Sequence, residues 1–377
     1  MRIALLSGAV KNAGDYLITE RCADILHSVY PDAVIDRYIR NNPLSQYQLN
    51  EINGSDCIII GGGPCYKKNL YPNTIPLSEN LDLIKPKIFM MGCGWYGSTT
   101  DSDEIWNYKF SKSTIALLNR VASDSHTLGC RDYYAVKVLQ GNGLKNSLMT
   151  GCPAWYDLEK LTSRLPAKVE IRRIAVSDPA EITHYGAQSF AVCNYLKSRY
   201  PEAEFHYFFH RGTKSDQFTD RKNAAAIEAL SGKLQDSGFS VHDIAYSAEG
   251  FSLYDSCDLH VGHRVHAHIY NLSQRKVSIL IEEDSRGAGV NEALGLWGIK
   301  AYKRKKKSTS AFAVKAYNKL FDYTLSDPYV LHNLSAYLDY MENTRFQIMN
   351  QAFSQMECYY QSMLQYTGNI VRILEKS

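Results

Sequence analysis

The segment Gly262-His263-Arg264-Val265-His266-Ala267-His268 sets one guanidinium among three imidazoles, directly after the apolar-flanked stretch Cys257–Val261. A short buried-strand pattern runs here into a candidate helix, and open α/β sheets bind ligands at the carboxyl ends of their strands. Arginine suits a phosphate or carboxylate there because its planar fork bonds bidentately. Histidine adds a group that gives or takes a proton near neutral pH. The segment therefore reads as an anion site with acid/base capacity. The alternative, buried histidines and an arginine salt-bridged to structure, stays open at this point.

Other residues fall at comparable places. His210-Arg211 ends the strand-like run 205–209, and Asp284-Ser285-Arg286-Gly287 follows the run 277–281. On this basis Arg264, Arg211, Arg286, His263 and His210 are candidates for binding an anion. Arg211, on the same predicted edge as Arg264 and His266, is the leading choice for a second anion-binding arginine. Lys11-Asn12-Ala13-Gly14-Asp15 lies between the first strand and the first helix. Gly14 permits close backbone approach and Asp15 can accept from substrate hydroxyls or simply cap the helix. Asn12, Gly14 and Asp15, with Gly62 and Gly63 of the run Gly61-Gly62-Gly63-Pro64, form the candidate acceptor side. Neither that run nor Gly92-Cys93-Gly94 completes G-x-G-x-x-G at a helix start, and no P-loop is present, which disfavours a nicotinamide cofactor. Arg131-Asp132 reads as a helix cap and its partner. No spacing of ligand-type residues predicts a metal.

These residues need strands and helices to carry them. Apolar runs at 3–6, 57–60 and 88–91 alternate with helical patterns at 15–29, 113–121 and 133–139. The alternation breaks over 155–168 and restarts with strands at 171–176, 205–209, 259–261 and 277–281 and helices at 188–198, 224–235 and 265–272, with a further helix starting at 290. Alternation of this kind predicts parallel, doubly wound sheets. The expected organisation is residues 1–165 as an N-terminal acceptor-side domain, 166–302 as a C-terminal donor-side domain, and 303–377 as a basic segment with closing helices. Tyr359, Tyr360 and Tyr366 are expected on the packed face of those helices. The run Lys303–Lys307 reads as a solvated loop or as contact with an anionic membrane surface or lipid-linked pyrophosphate.

The 377-residue length favours two domains, and 45% hydrophobic content supports full cores. A net charge of +3 is too small to make nucleic acid the expected partner. Nine cysteines, an odd number without a C-x-x-C pair, fit free thiols in a reducing compartment. No apolar run approaches the ~18 residues of a membrane span. The expectation is a cytoplasmic protein, with peripheral contact at the inner membrane face if Lys303–Lys307 provides it.

Taken in order, Asn12-Ala13-Gly14-Asp15, Gly61-Gly62-Gly63, Arg131-Asp132, Pro153-Ala154 and Arg264-Val265-His266 resemble the marks of the polysaccharide pyruvyl transferase family. The resemblance runs from residue 1 to about residue 300. Val265 stands where leucine is usual, and the loop after the first strand of the second domain lacks the usual arginine. The resemblance implies a GT-B-like α/β fold of two Rossmann-like domains facing a cleft. It also implies transfer of a pyruvyl group from phosphoenolpyruvate, as co-substrate without cofactor, to a sugar or lipid-linked oligosaccharide, forming a ketal. His266 would be the general acid, Arg264 the donor clamp and Asp15 the group orienting the acceptor. A GT-B glycosyltransferase using a nucleotide sugar and a non-catalytic sugar-binding relative are the alternatives.

Overall fold

The computed structural model describes residues 1–97, 100–302 and 327–375. The run Lys303–Lys307 lies outside the described residues. Nearly continuous apolar segments form the strands, and Ile58, Ile59 and Ile60 are fully buried, as expected of a parallel sheet covered on both faces.

In the N-terminal half, β1 (Arg2–Ser7), β2 (Val34–Ile39), β3 (Cys57–Gly61), β4 (Pro64–Tyr66), β5 (Lys87–Met91), β6 (Gly94–Trp95), β7 (Leu128–Cys130) and β8 (Ser147–Met149) follow in sequence. The main sheet has the order β2-β1-β3-β5 with every pair parallel. A parallel bridge from Cys93 to Cys130 carries it on to β7 and β8, while β4 and β6 pair separately. The order reverses between β1 and β3. Helix α1 (Ala13–Val29) leaves the end of β1. Also in this half are α2 (Gln46–Ile52), α3 (Ser102–Trp106), α4 (Lys112–Ser125) and α5 (Tyr133–Gly141), which Asp132 caps through the Ala135 N–H at 2.9 Å.

The C-terminal half begins with β9 (Arg173–Ser177) and continues through β10 (Glu204–Phe209), β11 (Ser240–Asp243), β12 (Leu259–Gly262), β13 (Val277–Glu282) and β14 (Ile299–Lys300). Their spatial order is β11-β10-β9-β12-β13-β14, all parallel, which is the Rossmann order with its reversal between β9 and β12. Helices α6 (Ile182–Arg199), α7 (Arg221–Asp236), α8 (Val265–Ser273) and α9 (Ser285–Leu294) connect these strands. The expectation that a helix starts near 290 is corrected. Asp284 caps α9 through the Arg286 N–H, and Gly295, left-handed at φ 68°, closes it. Two doubly wound units meeting along their carboxyl edges make the architecture GT-B-like.

The chain ends in α10 (Val330–Asn343) and α11 (Gln347–Leu374). The second lies across both halves. The Tyr359 hydroxyl donates to Ala293 O in the C-terminal half, while that of Tyr366 donates to Met90 O in the N-terminal half. All three tyrosines of this helix named above are buried. Eight of the nine cysteines are buried, Cys358 is exposed, and all are free thiols. No helix among the described residues is long and apolar enough to cross a membrane.

The C-terminal core contains an unusual share of imidazole. His260 bridges Ser278 Oγ at 2.8 Å and Ser177 Oγ at 2.9 Å, and His268 shares the same Ser278 hydroxyl at 2.8 Å. Burial holds both rings well below the usual histidine range, to about 3 for His268. An unfolded chain takes up these protons near 6.5, so stability is complete above that pH and is lost as the pH falls towards the folded value. Each such ring costs about 1.4 kcal/mol per pH unit in that window. The guanidinium chloride unfolding midpoint should therefore drop between about pH 7 and pH 5. An unchanged midpoint would mean that the rings are charged within the fold.

Candidate active site

Ser177, at the end of β9, and Gly262, at the end of β12, are paired neighbours at the reversal point of the C-terminal sheet. Asp178 follows the first and Arg264 the second. The Arg264 guanidinium grips the Asp178 carboxylate in a fork, Nε to Oδ1 at 2.7 Å and Nη2 to Oδ2 at 2.6 Å. Both side chains are buried. The expectation that Arg264 holds the donor with its fork is corrected: the fork is already filled, because the loop that lacks an arginine supplies an aspartate instead. Arg264 is also the N-cap residue of α8, with its own N–H donating to Ser177 Oγ at 3.2 Å.

Three helices start at this edge, and their starts differ. The entry to α6 is covered by Glu283, whose carboxylate accepts from Ala180 N at 2.7 Å and Glu181 N at 3.1 Å. The start of α9 is capped by Asp284. The start of α8 has no side-chain cap. It thus keeps the partial positive charge and free N–H groups of a helix N-terminus. Around it lie cations. Arg286 is held by Asp284 through contacts at 2.6–2.9 Å and rests 5.0 Å from the Tyr96 ring centre. Arg211 is exposed and has no carboxylate partner among the described residues. Loss of some surrounding water at the junction lowers its affinity for the proton, and the charge of Arg264 adds to this, while Asp15 and Asp178 oppose it.

His266 sits in the first turn of α8, against the N-terminal half. A Cβ built on Gly14 would stand 2.1 Å from His266 Nδ1, so the glycine of the Asn12–Asp15 loop makes room for an imidazole. Burial pushes His266 down to about 4; Asp15 opposes that shift, and Arg131, Arg286 and Arg264 reinforce it. The free protein therefore carries a neutral His266. Asn12 Nδ2 donates to Asp15 Oδ2 at 3.0 Å, and Asn12 Oδ1 is buried without a partner. The same loop is tied across the junction by Ala13 N to His210 O at 3.1 Å and Lys11 Nζ to Asp216 Oδ2 at 2.6 Å.

The structure brings Asn12, Gly14, Asp15, Arg211, Arg264, His266 and Arg286 to one junction. It does not bring the rings of His210 and His263 there. His210 is fully buried, with Nε2 on the Tyr254 hydroxyl at 2.8 Å, and His263 pairs with Gln188 at 3.1 Å and stacks on Tyr185. Burial holds His210 well below the usual range and His263 at about 3, so both are neutral core residues. Gly62 and Gly63 pack under Ile18 and against the Arg40 guanidinium respectively. Arg131 is buried on Asp132 at 2.8 Å. Sequence reasoning missed Asp178 as a partner, Glu283 as a cap and Arg40. Each is a charged residue just past a strand end, which was the available signal.

These features define an α/β protein of two doubly wound halves, with an uncapped helix start and a titratable ring at their junction. Residues 12–285 match the family described as Polysaccharide pyruvyl transferase. The chain belongs to that family. Comparison with curated proteins finds no match. Among solved structures it is similar to S. aureus MnaA in its co-structure with UDP, at 9% identity over 91% of this chain and 97% of that one, TM-score 0.46. It is similar as well to UDP-GlcNAc 2-epimerase from Neisseria meningitidis bound to UDP-GlcNAc, at 10% identity over 90% and 99%, TM-score 0.47. A third is the glycotransferase of kitacinnamycin, at 11% identity over 99% of each chain, TM-score 0.46.

Two outcomes check this geometry. Gly14→Ala adds a methyl group where the His266 ring stands, so it should destabilise by about 1–3 kcal/mol in urea although alanine is the better helix former. Gly186→Ala in α6, where the nearest side-chain atom is 3.8 Å away, should cost nothing and serves as the control. Asp178→Asn should lose about 3–5 kcal/mol by stranding a buried guanidinium, whereas exposed Arg211→Ala should stay within about 0.5 kcal/mol of the parent. Equal losses for those two would remove the distinction between a structural and a free arginine.

Proposed function

We propose that the protein transfers a pyruvyl group from phosphoenolpyruvate to a sugar of a cell-surface polysaccharide or its lipid-linked precursor, closing a pyruvate ketal. The observation that carries this reading is the open start of α8, the one of three neighbouring helix starts without a carboxylate cap, beside Arg211 and two residues before the His266 ring. A phosphate fits a helix N-terminus. The donor's second anionic group, its carboxylate, falls to Arg211, with the outer faces of Arg264 and Arg286 adding field.

The chemistry follows from the donor. A proton goes to the enol methylene and leaves an oxocarbenium-like carbon at C2. One sugar hydroxyl attacks that carbon and returns its proton to His266, the bond from C2 to the phosphate oxygen breaks, and the neighbouring hydroxyl closes the ring on C2 while its proton leaves with the phosphate. Asp15, fixed by Asn12, orients the acceptor hydroxyls. His266 is the proton carrier, but at about 4 it is uncharged before the donor arrives. Bound anion favours imidazolium. The proton is therefore taken up with the donor and handed to the methylene.

Calorimetry of phosphoenolpyruvate binding in buffers of different ionisation enthalpy should report uptake of close to one proton, lost in His266→Gln. That variant should keep the donor and lose about 10²–10⁴-fold in turnover, read as the ketal mass shift on a glycan. Protection by a nucleotide sugar and not by phosphoenolpyruvate would overturn the donor assignment. Turnover of His266→Gln within a few-fold of the parent would move the proton carrier elsewhere.

A further inference from the structure

Arg40 stands just past β2, at the carboxyl edge of the N-terminal sheet. Its backbone N–H donates to Ser7 O at 2.8 Å, and its side chain turns inward to only 6% exposure. Nη1 donates to Gly62 O at 2.8 Å and Gly61 O at 3.2 Å, and lies 3.2 Å from Cys65 Sγ. Nε is buried with no acceptor, and no carboxylate pairs with the guanidinium among the described residues. A Cβ on Gly8 or on Gly63 would come within 2.8 or 2.7 Å of Nη2. The glycine run after β3 is thus a mould for a cation, and Gly63, at φ 73°, can take that shape where a side chain would strain it.

Burial disfavours the Arg40 charge, while the Cys65 and Cys93 sulfurs and the Asp15 carboxylate favour it, so the guanidinium stays charged with no carboxylate bonded to it. A second cation stands close by. Lys67, half-buried after β4, holds its ammonium 5.3 Å from the Tyr96 ring centre. Burial lowers its proton affinity, Arg40 and Arg286 lower it further, and Cys65 and Asp15 oppose this. Arg40 and Lys67 therefore share one corner with Asp15, whose side-chain partner is Asn12. That corner is the reversal point of the N-terminal sheet, between β1 and β3, across the junction from the start of α8.

We infer that Arg40 and Lys67 form a second anion subsite, in the N-terminal half, which receives a phosphate or carboxylate carried by the acceptor sugar. This rests on the proposed transfer reaction and narrows its acceptor to an anionic saccharide. The donor's own negative groups are met on the other side, by α8 and Arg211, and the Tyr96 ring, 5.0 Å from Arg286 and 5.3 Å from Lys67, stands between the two sites.

The test is calorimetric binding of glucose 1-phosphate, glucuronic acid and glucose to the full chain, with and without saturating phosphoenolpyruvate. One of the two anionic sugars should bind about tenfold or more tighter than glucose, undiminished by phosphoenolpyruvate, and which one it is distinguishes phosphate from carboxylate. Lys67→Met should remove that preference while leaving phosphoenolpyruvate affinity unchanged. Arg40→Gln should do the same, and Lys67→Met carries the test should the buried substitution fail to fold. Equal binding of all three sugars, or an anion preference that survives Lys67→Met, would overturn the subsite. A Lys67-dependent preference without phosphoenolpyruvate binding would keep the subsite and sink the donor assignment instead; phosphoenolpyruvate binding without the preference would do the reverse.

Discussion

The fork between Asp178 and Arg264 fixes the reversal point of the C-terminal sheet. One carboxylate gathers three strand ends: it follows β9, receives both nitrogens of the arginine that follows β12, and accepts the His210 N–H at the end of β10 at 3.2 Å. Both members are buried, so removing either leaves a stranded charge, at a cost of about 3–5 kcal/mol. Arg264 is also the residue from which α8 departs. The pair therefore sets the direction of that helix, and with it the place of His266. A contact whose bonds are all internal to the protein decides where the chemistry can happen.

Burial then imposes a second condition. Five imidazoles of the C-terminal half, His210, His260, His263, His266 and His268, are all pushed below their ordinary range, chiefly by loss of water. For four of them neutrality suits a packed core, where each ring bonds a hydroxyl or an amide. His266 differs in standing against Gly14, with Asp15 favouring its charged form. The same environment that seals the core thus leaves one ring whose proton depends on what else is bound beside it.

Much of the architecture was legible in the amino-acid order. Apolar runs ending in glycine or small polar residues marked β1, β3, β5 and β12, and the alternation with helices implied parallel sheets. The functional edge followed, since residues just past strand ends must share it. What could not be read was the direction in which each of those residues turns. His210 and Arg211 are adjacent, yet one ring lies in the core and the other side chain reaches solvent, because successive residues at a strand end face opposite ways. Pairing was equally hidden: Asp178 and Arg264 are 86 positions apart, and only the placement of β9 beside β12 makes them neighbours. Arg40 escaped notice because a lone arginine after a weak strand pattern looks like surface until Gly8 and Gly63 close over it.

Helix α11 gives the molecule a mechanical property. At 28 residues it extends about 42 Å, anchored to the N-terminal half through Tyr366 and to the C-terminal half through Tyr359. The Tyr30 hydroxyl, just past the first helix, also reaches Thr367 O at 3.0 Å. The polypeptide thus passes from one half to the other near residue 160 and returns along a stiff rod. The Tyr359 hydroxyl also meets that of Tyr133 in the N-terminal half at 3.2 Å, so one side chain of the rod is bonded to both halves at once, and parting them there breaks one of its two bonds.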